Sequence, residues 1–589
     1  MSDEIKHECA VAMVVLRKLH QGDVSTAGDF GGTKLSLLLE KQHNRGQDGA
    51  GAAFLSAEPE PGETPYRVFK SASATPLVDV LGMIAKREKA RERIFLGHLR
   101  YATFGKNNVA FCHPFVHEAS DLGHTLLLAG NFNLTNAAEL FDDYRRHGAF
   151  PTSKADGYLI TELISKEAAK SSHIAPAIEK ALAGADGAWT LCGMTGDGWA
   201  FATRDPHGIR PGFYYIDDDV VVVASERPAI QAAFDVPPET VKELPPGKSL
   251  VISPEGEVEF YETIKPSPRP CSFERIYFSR ANDADIHRER KALGAALLPE
   301  ILKAANAPME DIFFSYIPNS ARIAFHGLLE ELFNQVVAQK IPRVSPLLGH
   351  PLRGQPSAGG YASLREISLP RFGEIAVKDA KFRTFIADAA ARREFYKHVY
   401  DVTYGLVRPS RDTLVVLDDS IVRGNTMKNA ILPMLDRLGP KRIVIASSAP
   451  PIRYPDCYGI DMSTLGELVA FKALVNLMNG ERELREALRS DVPNPLAPLY
   501  ARFTDEEHCA EIARLLTPPG MKAEVVVVYQ TVENLRRCLT AQLSNHQTSQ
   551  PPNHIGDWYF TGDYPTPGGY KVLHNAMANY LARNNERSY

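Results

Sequence analysis

Short apolar runs broken by Gly, Asn and Asp fill the chain from Cys9 to about Lys265, a texture that predicts a sheet-rich α+β region. Ile94–Leu96, Leu126–Ala129, Trp189–Met194, Trp199–Thr203 and Val220–Ala224 are its strand candidates. Three prolines between Lys265 and Pro270 mark a boundary. From Cys271 to about Leu474 apolar runs alternate with amphipathic stretches, as βαβ units do. One unit is explicit. Thr413–Leu417 reads as a strand and Met427–Leu438 as a helix with Met427, Ile431, Met434, Leu435 and Leu438 on one face. Gly439-Pro440 stops the helix, and Arg442–Ala446 begins the next strand. Pro433 falls inside that helix, where its missing N–H and its ring should kink the axis. Pro346–Gly373, rich in Gly and Pro, reads as a long loop or insertion. Beyond Val475 come helical patches such as Glu506–Leu516, a polar linker over Ser544–Gly556 and a final amphipathic helix near Tyr570–Arg583. The expected division is a leader, 1–8, a first domain, 9–265, a second, 271–474, and a helical C-terminal extension, 475–589.

With 589 residues, the chain is long enough for more than one core. A formal net charge of −5 and 23% charged residues give no basic excess, so neither nucleic acid nor a membrane surface is an expected partner. No apolar run reaches the ~18 residues of a membrane span. The seven cysteines are scattered without a CxxC, which fits a reducing compartment and places the protein in the cytoplasm.

Two constellations carry chemistry. Cys9 follows an eight-residue, mostly polar leader, and HNRGQDGAG at 43–51, GHLRYATFG at 97–105, GNFNLTNA at 130–137 and Asp156 come after it. Taken singly, each is a packing cysteine or a turn. Together they supply what amide hydrolysis needs. A Cys9 thiolate attacks the amide carbon, and removal of the leader frees an α-amine, of ordinary pKa about 7.7–8.0, to take the thiol proton. Asn131 offers its NH2 to the oxyanion. Arg100 and Asp156 can hold the α-carboxylate and α-ammonium of a free amino acid.

The second constellation is VVLDDSIVRGNT at 415–426. An apolar strand ends in Asp418-Asp419, a loop Ser420–Asn425 follows, and Thr426 opens a helix. Ligands of open α/β sheets gather at such strand ends, where loop N–H groups and the helix start receive anions. Thr426 can cap the helix or bond a phosphate oxygen. The adjacent carboxylates suit ribose hydroxyls and a hard cation.

The order of the first set of motifs resembles the class II glutamine amidotransferase domain, an N-terminal-nucleophile hydrolase of αββα architecture. RDPHGIRP at 204–211 and VVASE at 222–226 extend the likeness. The second motif is similar to the phosphoribosyl pyrophosphate (PRPP) signature of type I phosphoribosyltransferases, α/β proteins with a parallel sheet. CSFERIYFSR at 271–280, IPNSARIA at 317–324, FRTFI at 382–386 and IDMSTLGELVA at 460–470 then point to the amidophosphoribosyltransferase family. The resemblance implies Cys9 as nucleophile, Asn131 as oxyanion donor, and Arg45, Gly46, Arg100 and Asp156 in the glutamine site. It implies Arg383, Asp418, Asp419, Ser420, Arg423, Gly424, Asn425 and Thr426 around PRPP, with Ser320, Asp418 and Asp419 at Mg²⁺. It also implies the first step of purine synthesis, feedback by purine nucleotides and a homotetramer.

The chain departs from the family at Ala10, Gly130 and Phe132, where Gly, His and Gly are usual, and at Lys378, Asp379 and Lys381 before the FRTFI loop. Some relatives hold an iron–sulfur cluster. Here Trp558-Tyr559 stands where one cysteine would be and Asp456 where another would be, beside Cys457. Only Cys271 matches, so no cluster is expected, and Cys271 and Cys457 are read as buried apolar residues. Two other readings stay open: another class II glutamine-dependent amidotransferase, and a regulatory PRPP-binding relative without catalysis.

Overall fold

The computed structural model describes residues 9–18, 24–57, 64–87, 91–102, 108–344, 369–378, 400–543 and 555–584. The leader, Arg383 with the rest of 382–386, Asp379, Lys381, most of the 346–373 insertion and most of the polar linker lie outside them.

The first half contains β1 (Ala10–Leu16), β2 (Gly49–Ser56), β3 (Tyr66–Ser71), β4 (Glu92–Arg100), β5 (Phe115–His117), β6 (Leu126–Leu134) and β7 (Gly187–Thr195). It continues with β8 (Ala200–Arg204), β9 (Phe213–Ile216), β10 (Val220–Ala224), β11 (Lys242–Glu243), β12 (Lys248–Ile252) and β13 (Val258–Glu262). They form two antiparallel sheets, β11-β9-β10-β1-β4-β2-β3 and β13-β12-β8-β7-β6-β5. Side-chain alternation decides the layering. Val11, Met13, Val15, Ile94 and Leu96 of one sheet pack against Leu127, Ala129, Cys192 and Ala202 of the other. The opposite parity of the first sheet, Ala12, Val14, Phe95 and Leu99, meets Leu35 and Leu38 of the helix Val24–Lys41 and Ile230 of Arg227–Phe234. Leu128 and Leu191 of the second sheet meet Ile160, Ile164 and Ile178 of the helices Asp156–Ala168 and Ile174–Leu182. This is the expected αββα stack, and each strand candidate lies in or largely within a strand.

The second half adds β14 (Ile312–Tyr316), β15 (Arg371–Phe372), β16 (Ala376–Lys378), β17 (Tyr400–Val402), β18 (Thr413–Asp418), β19 (Arg442–Ser447) and β20 (Glu524–Tyr529). Five of these make an all-parallel sheet, β15-β14-β18-β19-β20. Such sheets are covered on both faces. Leu297, Ile301, Phe325 and Leu328 of the helices Ala284–Ala305 and Arg322–Val344 lie on one face, and Ile431, Leu435, Ala473 and Ile512 on the other.

Three expectations change. The second domain does not end at 474, because β20 completes its sheet and is parallel to β19; the apolar run Val525–Tyr529 is a buried strand inside what reads as a helical tail. The insertion is not all loop, since its end forms edge strand β15, where Arg371 forks onto Asp412 with two contacts of 2.8 Å. The helix carrying Pro433 is not a kinked α-helix. A π-helical turn over Met427–Ile431 precedes Leu432–Asp436, and a widened turn is where the backbone absorbs a proline that cannot donate to the carbonyl four residues back.

Cys271 and Cys457 are buried in one core with Tyr458, Trp558 and Tyr559, and Cys271 Sγ lies 3.3 Å from Tyr559 Oη. The C-terminal helix Pro567–Leu581 returns to the first half, where Gly568 N–H donates to Asp186 Oδ2 at 2.9 Å.

Candidate active sites

Strand parity assembles the first site. Cys9 precedes β1 with the parity of Val11, Arg100 ends β4 with the parity of Leu96, and Asn131 on β6 has the parity of Ala129. All three therefore belong to the layer between the sheets. The Tyr101 N–H donates to Cys9 Sγ at 3.3 Å. Asp156 is the first residue of its helix, and its carboxylate accepts the Gly157 N–H at 2.9 Å. Burial pushes the Cys9 thiol up to about 11, with Arg100 opposing and Asp156 and Asp48 adding to the rise. Burial also lifts Asp156 to about 6, against backbone N–H donors and Arg100. One sulfur, one cation and one carboxyl thus act on each other in a half-buried corner.

Gly46 has φ +63°, and a Cβ there would lie 2.5 Å from the Leu99 carbonyl carbon. Only glycine lets this loop press on the backbone that carries Arg100. Arg45 corrects an expectation. Its guanidinium is fully buried and turned to Glu226 (Nε–Oε1, 2.6 Å) and to Glu274 (Nη2–Oε2, 2.7 Å; Nη1–Oε1, 3.2 Å). Glu274 belongs to the π-helical turn Glu274–Phe278 that opens the second half. Arg45 therefore ties the two halves together and has no geometry for gripping glutamine. Phe132, at a position where the family has glycine, sits in register with Trp189 in β6 and is not among the positive-φ residues, so its backbone is ordinary strand.

The second site lies at the carboxyl edge of the parallel sheet. Asp418 ends β18, the middle strand, and Asp419 follows it. The backbone fixes the pair: Ser448 N–H donates to Asp418 O at 2.9 Å and Ala449 N–H to Asp419 O at 3.0 Å. Ser320, just past β14, lies near enough to pull the Asp419 carboxyl down against its burial, and Ser420 Oγ donates to Asp419 Oδ1 at 3.3 Å. Asp419 Oδ2 is buried and meets no partner among the described residues. Burial and the neighbouring Asp419 push Asp418 well above the usual carboxylate range, and burial raises Asp419 as well. Two crowded carboxyls with an orphaned oxygen and an adjacent hydroxyl form an oxygen donor set that suits a hard divalent cation.

Gly424 has φ +78°, and a Cβ would collide with Leu516 Cδ2 at 2.2 Å, so the loop turns here against the helix Asp505–Leu516. Asn425 is exposed. Two further expectations are corrected. Arg423 does not face the loop's interior: Nε donates to Glu467 Oε2 at 2.7 Å and Nη2 to the Asp461 carbonyl at 3.0 Å, bracing the loop on the segment 461–467. Of the two roles read for Thr426, capping is excluded, because its φ −63° and ψ −42° are helical and it makes no capping bond, while the phosphate role is untouched.

The sequence concealed Arg290, buried in the helix Ala284–Ala305 and held by the Arg275 and Ser279 carbonyls at 2.9 and 2.8 Å, whose charge acts on Asp419 and on Glu226 and Glu274. Inside an amphipathic helix an arginine looks like a surface residue, so nothing in the spacing could single it out. Among the described residues no helix is long and apolar enough to cross a membrane.

Comparison with known proteins matches residues 113–232 to a glutamine amidotransferase domain family. The chain is similar to the amidophosphoribosyltransferase of Archaeoglobus fulgidus, 30% identical over 64% of this chain and 72% of that one. It is similar to the Bacillus subtilis amidophosphoribosyltransferase, 28% identical over 77% and 82%. The solved B. subtilis glutamine PRPP amidotransferase, complexed with ADP and GMP, superposes with a TM-score of 0.64 at 24% identity, covering 95% of this chain and 97% of that one.

Proposed function

The chain belongs to the amidophosphoribosyltransferase family, and we propose that it releases ammonia at Cys9 and consumes it at Asp418–Asp419. It is a glutamine-dependent transferase: glutamine, PRPP and water give 5-phosphoribosylamine, pyrophosphate and glutamate, the first step of purine biosynthesis. A second domain built on a parallel sheet with the Asp pair at its carboxyl edge separates it from class II amidotransferases of other kinds.

Arg100 and Asp156 grip the α-carboxylate and α-ammonium of glutamine. The Cys9 sulfur attacks the amide carbon, and Asn131 NH2 donates to the oxygen that gains charge. Collapse releases ammonia and leaves a thioester, which water cleaves to glutamate. A thiol held near 11 ionises too rarely at neutral pH to do this unaided. The α-amine exposed by removal of residues 1–8 supplies the base, receiving the thiol proton and returning it to the leaving nitrogen. The Tyr101 N–H held 3.3 Å from the Cys9 sulfur, with Arg100 and Asp156 acting on the same thiol, is the observation that carries the first assignment.

At the second site ammonia adds to C1 of the ribose as pyrophosphate departs. The loop 420–425 cradles phosphate through backbone N–H groups, and Asp418 and Asp419 orient the ribose hydroxyls. Ser320, Asp418 and Asp419 would hold Mg²⁺, which when bound supplies charge neutralisation to the diphosphate. The resemblance adds Arg383, which lies outside the described residues, as a further partner of the diphosphate. A cytoplasmic homotetramer under feedback from purine nucleotides completes the reading; the B. subtilis structure solved with ADP and GMP supports the nucleotide part.

The test is intact mass and N-terminal sequencing of the active protein together with assays on glutamine and on ammonium. A chain starting at Cys9 that uses both nitrogen donors is expected. Full glutamine-dependent activity with residues 1–8 attached would overturn the nucleophile assignment.

A further inference from the structure

We propose that His98 and His113 are a positioning pair for the amide-splitting site, gripping both backbone polar groups of Gly130, which belong to the two successive peptides before Asn131, so that Asn131 is aimed at the oxyanion. The inference rests on the functional reading above and adds to it two residues that the substrate does not touch.

Strand β5 pairs with β6 only from Phe115↔Leu128 to His117↔Leu126. Two residues further along that register His113 would face Gly130, but the ladder has ended, and Pro114 has no N–H to prolong it. In an antiparallel strand the N–H and C=O of one residue point to the same side. On the side away from β7, Gly130 therefore presents both groups where a strand partner is missing. The two imidazoles take that place. Gly130 N–H donates to His113 Nδ1 at 3.3 Å, and His98 Nε2 donates to the Gly130 carbonyl at 3.0 Å. The rings stack with centroids 3.9 Å apart and planes 7° from parallel. His98 is fully buried and His113 nearly so.

The partners assign the tautomers. His113 accepts on Nδ1 and so carries its proton on Nε2; His98 donates from Nε2. Burial keeps both neutral, holding His98 down to about 3 and His113 well below the usual imidazole range, with Arg100 adding to each. A proton on His113 Nδ1 would set a donor against the Gly130 N–H. The pair thus works as a fixed acceptor and a fixed donor, and it carries no mobile proton for the reaction.

Its consequence is directional. The Gly130 carbonyl belongs to the peptide that joins Gly130 to Asn131, so holding it sets the frame from which the Asn131 side chain projects into the layer of Cys9. A donor aimed before the substrate arrives is worth more than one that must reorient, and misplacement by about 1 Å costs roughly 100-fold.

Steady-state kinetics on the full chain, with glutamine or ammonium as nitrogen donor, test this. His113→Phe keeps a ring over His98 and removes the acceptor. The kcat with glutamine should fall about 10- to 100-fold, while the glutamine KM, set by Arg100 and Asp156, should stay within about twofold. Synthesis from ammonium should be unchanged. His113→Gln, whose amide oxygen can accept the same N–H, should recover most of the loss. His98→Phe removes the other arm and should repeat the kcat-only defect; it carries the test if His113→Phe does not fold. A parent-like kcat in a folded Phe variant overturns the proposal, and so does a loss shared equally by both nitrogen donors or failure of His113→Gln to recover. A parent chain inactive even with ammonium would instead sink the functional reading, a separate result.

Discussion

Around Cys9 the chain sets a cation, Arg100, against a carboxyl, Asp156, whereas at the edge of the parallel sheet it sets two carboxyls, Asp418 and Asp419, side by side with one oxygen left without a partner. The first sets opposite charges beside a thiol that burial pushes up to about 11. In the second, among the described residues, two carboxyls outnumber the one cation, Arg290, whose charge acts on Asp419. One site thus balances its charges and the other does not, and the two should fail differently.

Cys9→Ala separates them most sharply. Loss of the sulfur should lower glutamine-dependent synthesis at least about 1,000-fold, while synthesis from ammonium persists. If ammonium use fell in parallel, the division of labour would be wrong. Asp419→Asn attacks the other side. It should depress synthesis about 100-fold with either nitrogen donor, measured at saturating ammonium and at saturating glutamine; a defect confined to glutamine would break the comparison.

Where the two halves meet stands the buried triad of Arg45, Glu226 and Glu274. It lies outside both chemistries, yet it joins the halves. Arg45→Met leaves two buried carboxylates with only the more distant charges of Arg210 and Arg290 to oppose them, a loss of about 3–5 kcal/mol. Thermal unfolding should show a lower midpoint, with the glutamine KM of the surviving folded protein nearly unchanged. A large KM rise with unaltered stability would return Arg45 to the glutamine site, where the resemblance had it.

How legible all this was depended on where the information resides. The αββα half could be read because strand candidates such as Val220–Ala224 alternate between two cores, and parity then carries Cys9, Arg100 and Asn131 into one layer. Asp418 and Asp419 could be read because the end of a buried strand is where a parallel sheet puts its ligands. What failed was side-chain direction. Arg45 and Arg423 sit in the right motifs, but their guanidiniums are captured by Glu226, Glu274, Glu467 and Asp461, acids far away in sequence. Likewise, β20 lies among helical tail segments, and only its neighbour β19 reveals its role. Gly130 hid the histidine pair, since a stack between β4 and the residue two before β5 leaves no periodic trace.

The mildest test concerns the carboxyl pair without its ligands. Asp418 and Asp419 titrate above the ordinary carboxyl value of about 3.9. An acid with a raised native pKa favours folding below its unfolded value and loses that contribution as pH rises through the native one. In metal-free protein the pair should therefore be harmless near pH 4 and destabilising at pH 8. Asp419→Asn, isosteric and uncharged, should raise the melting midpoint at pH 8 by about 2–4 °C, equivalent to roughly 1 kcal/mol, and leave it unchanged near pH 4. Added Mg²⁺ should stabilise the parent at pH 8 and the variant hardly at all, because the cation relieves the same repulsion that the substitution removes. Other buried acids, Asp156 and Glu289 among them, add to the parent's pH slope, so the difference between parent and variant is the quantity that decides. Equal midpoints at pH 8, with or without the cation, would mean that the two carboxyls are not in conflict and that the contrast between a balanced and an unbalanced site does not hold.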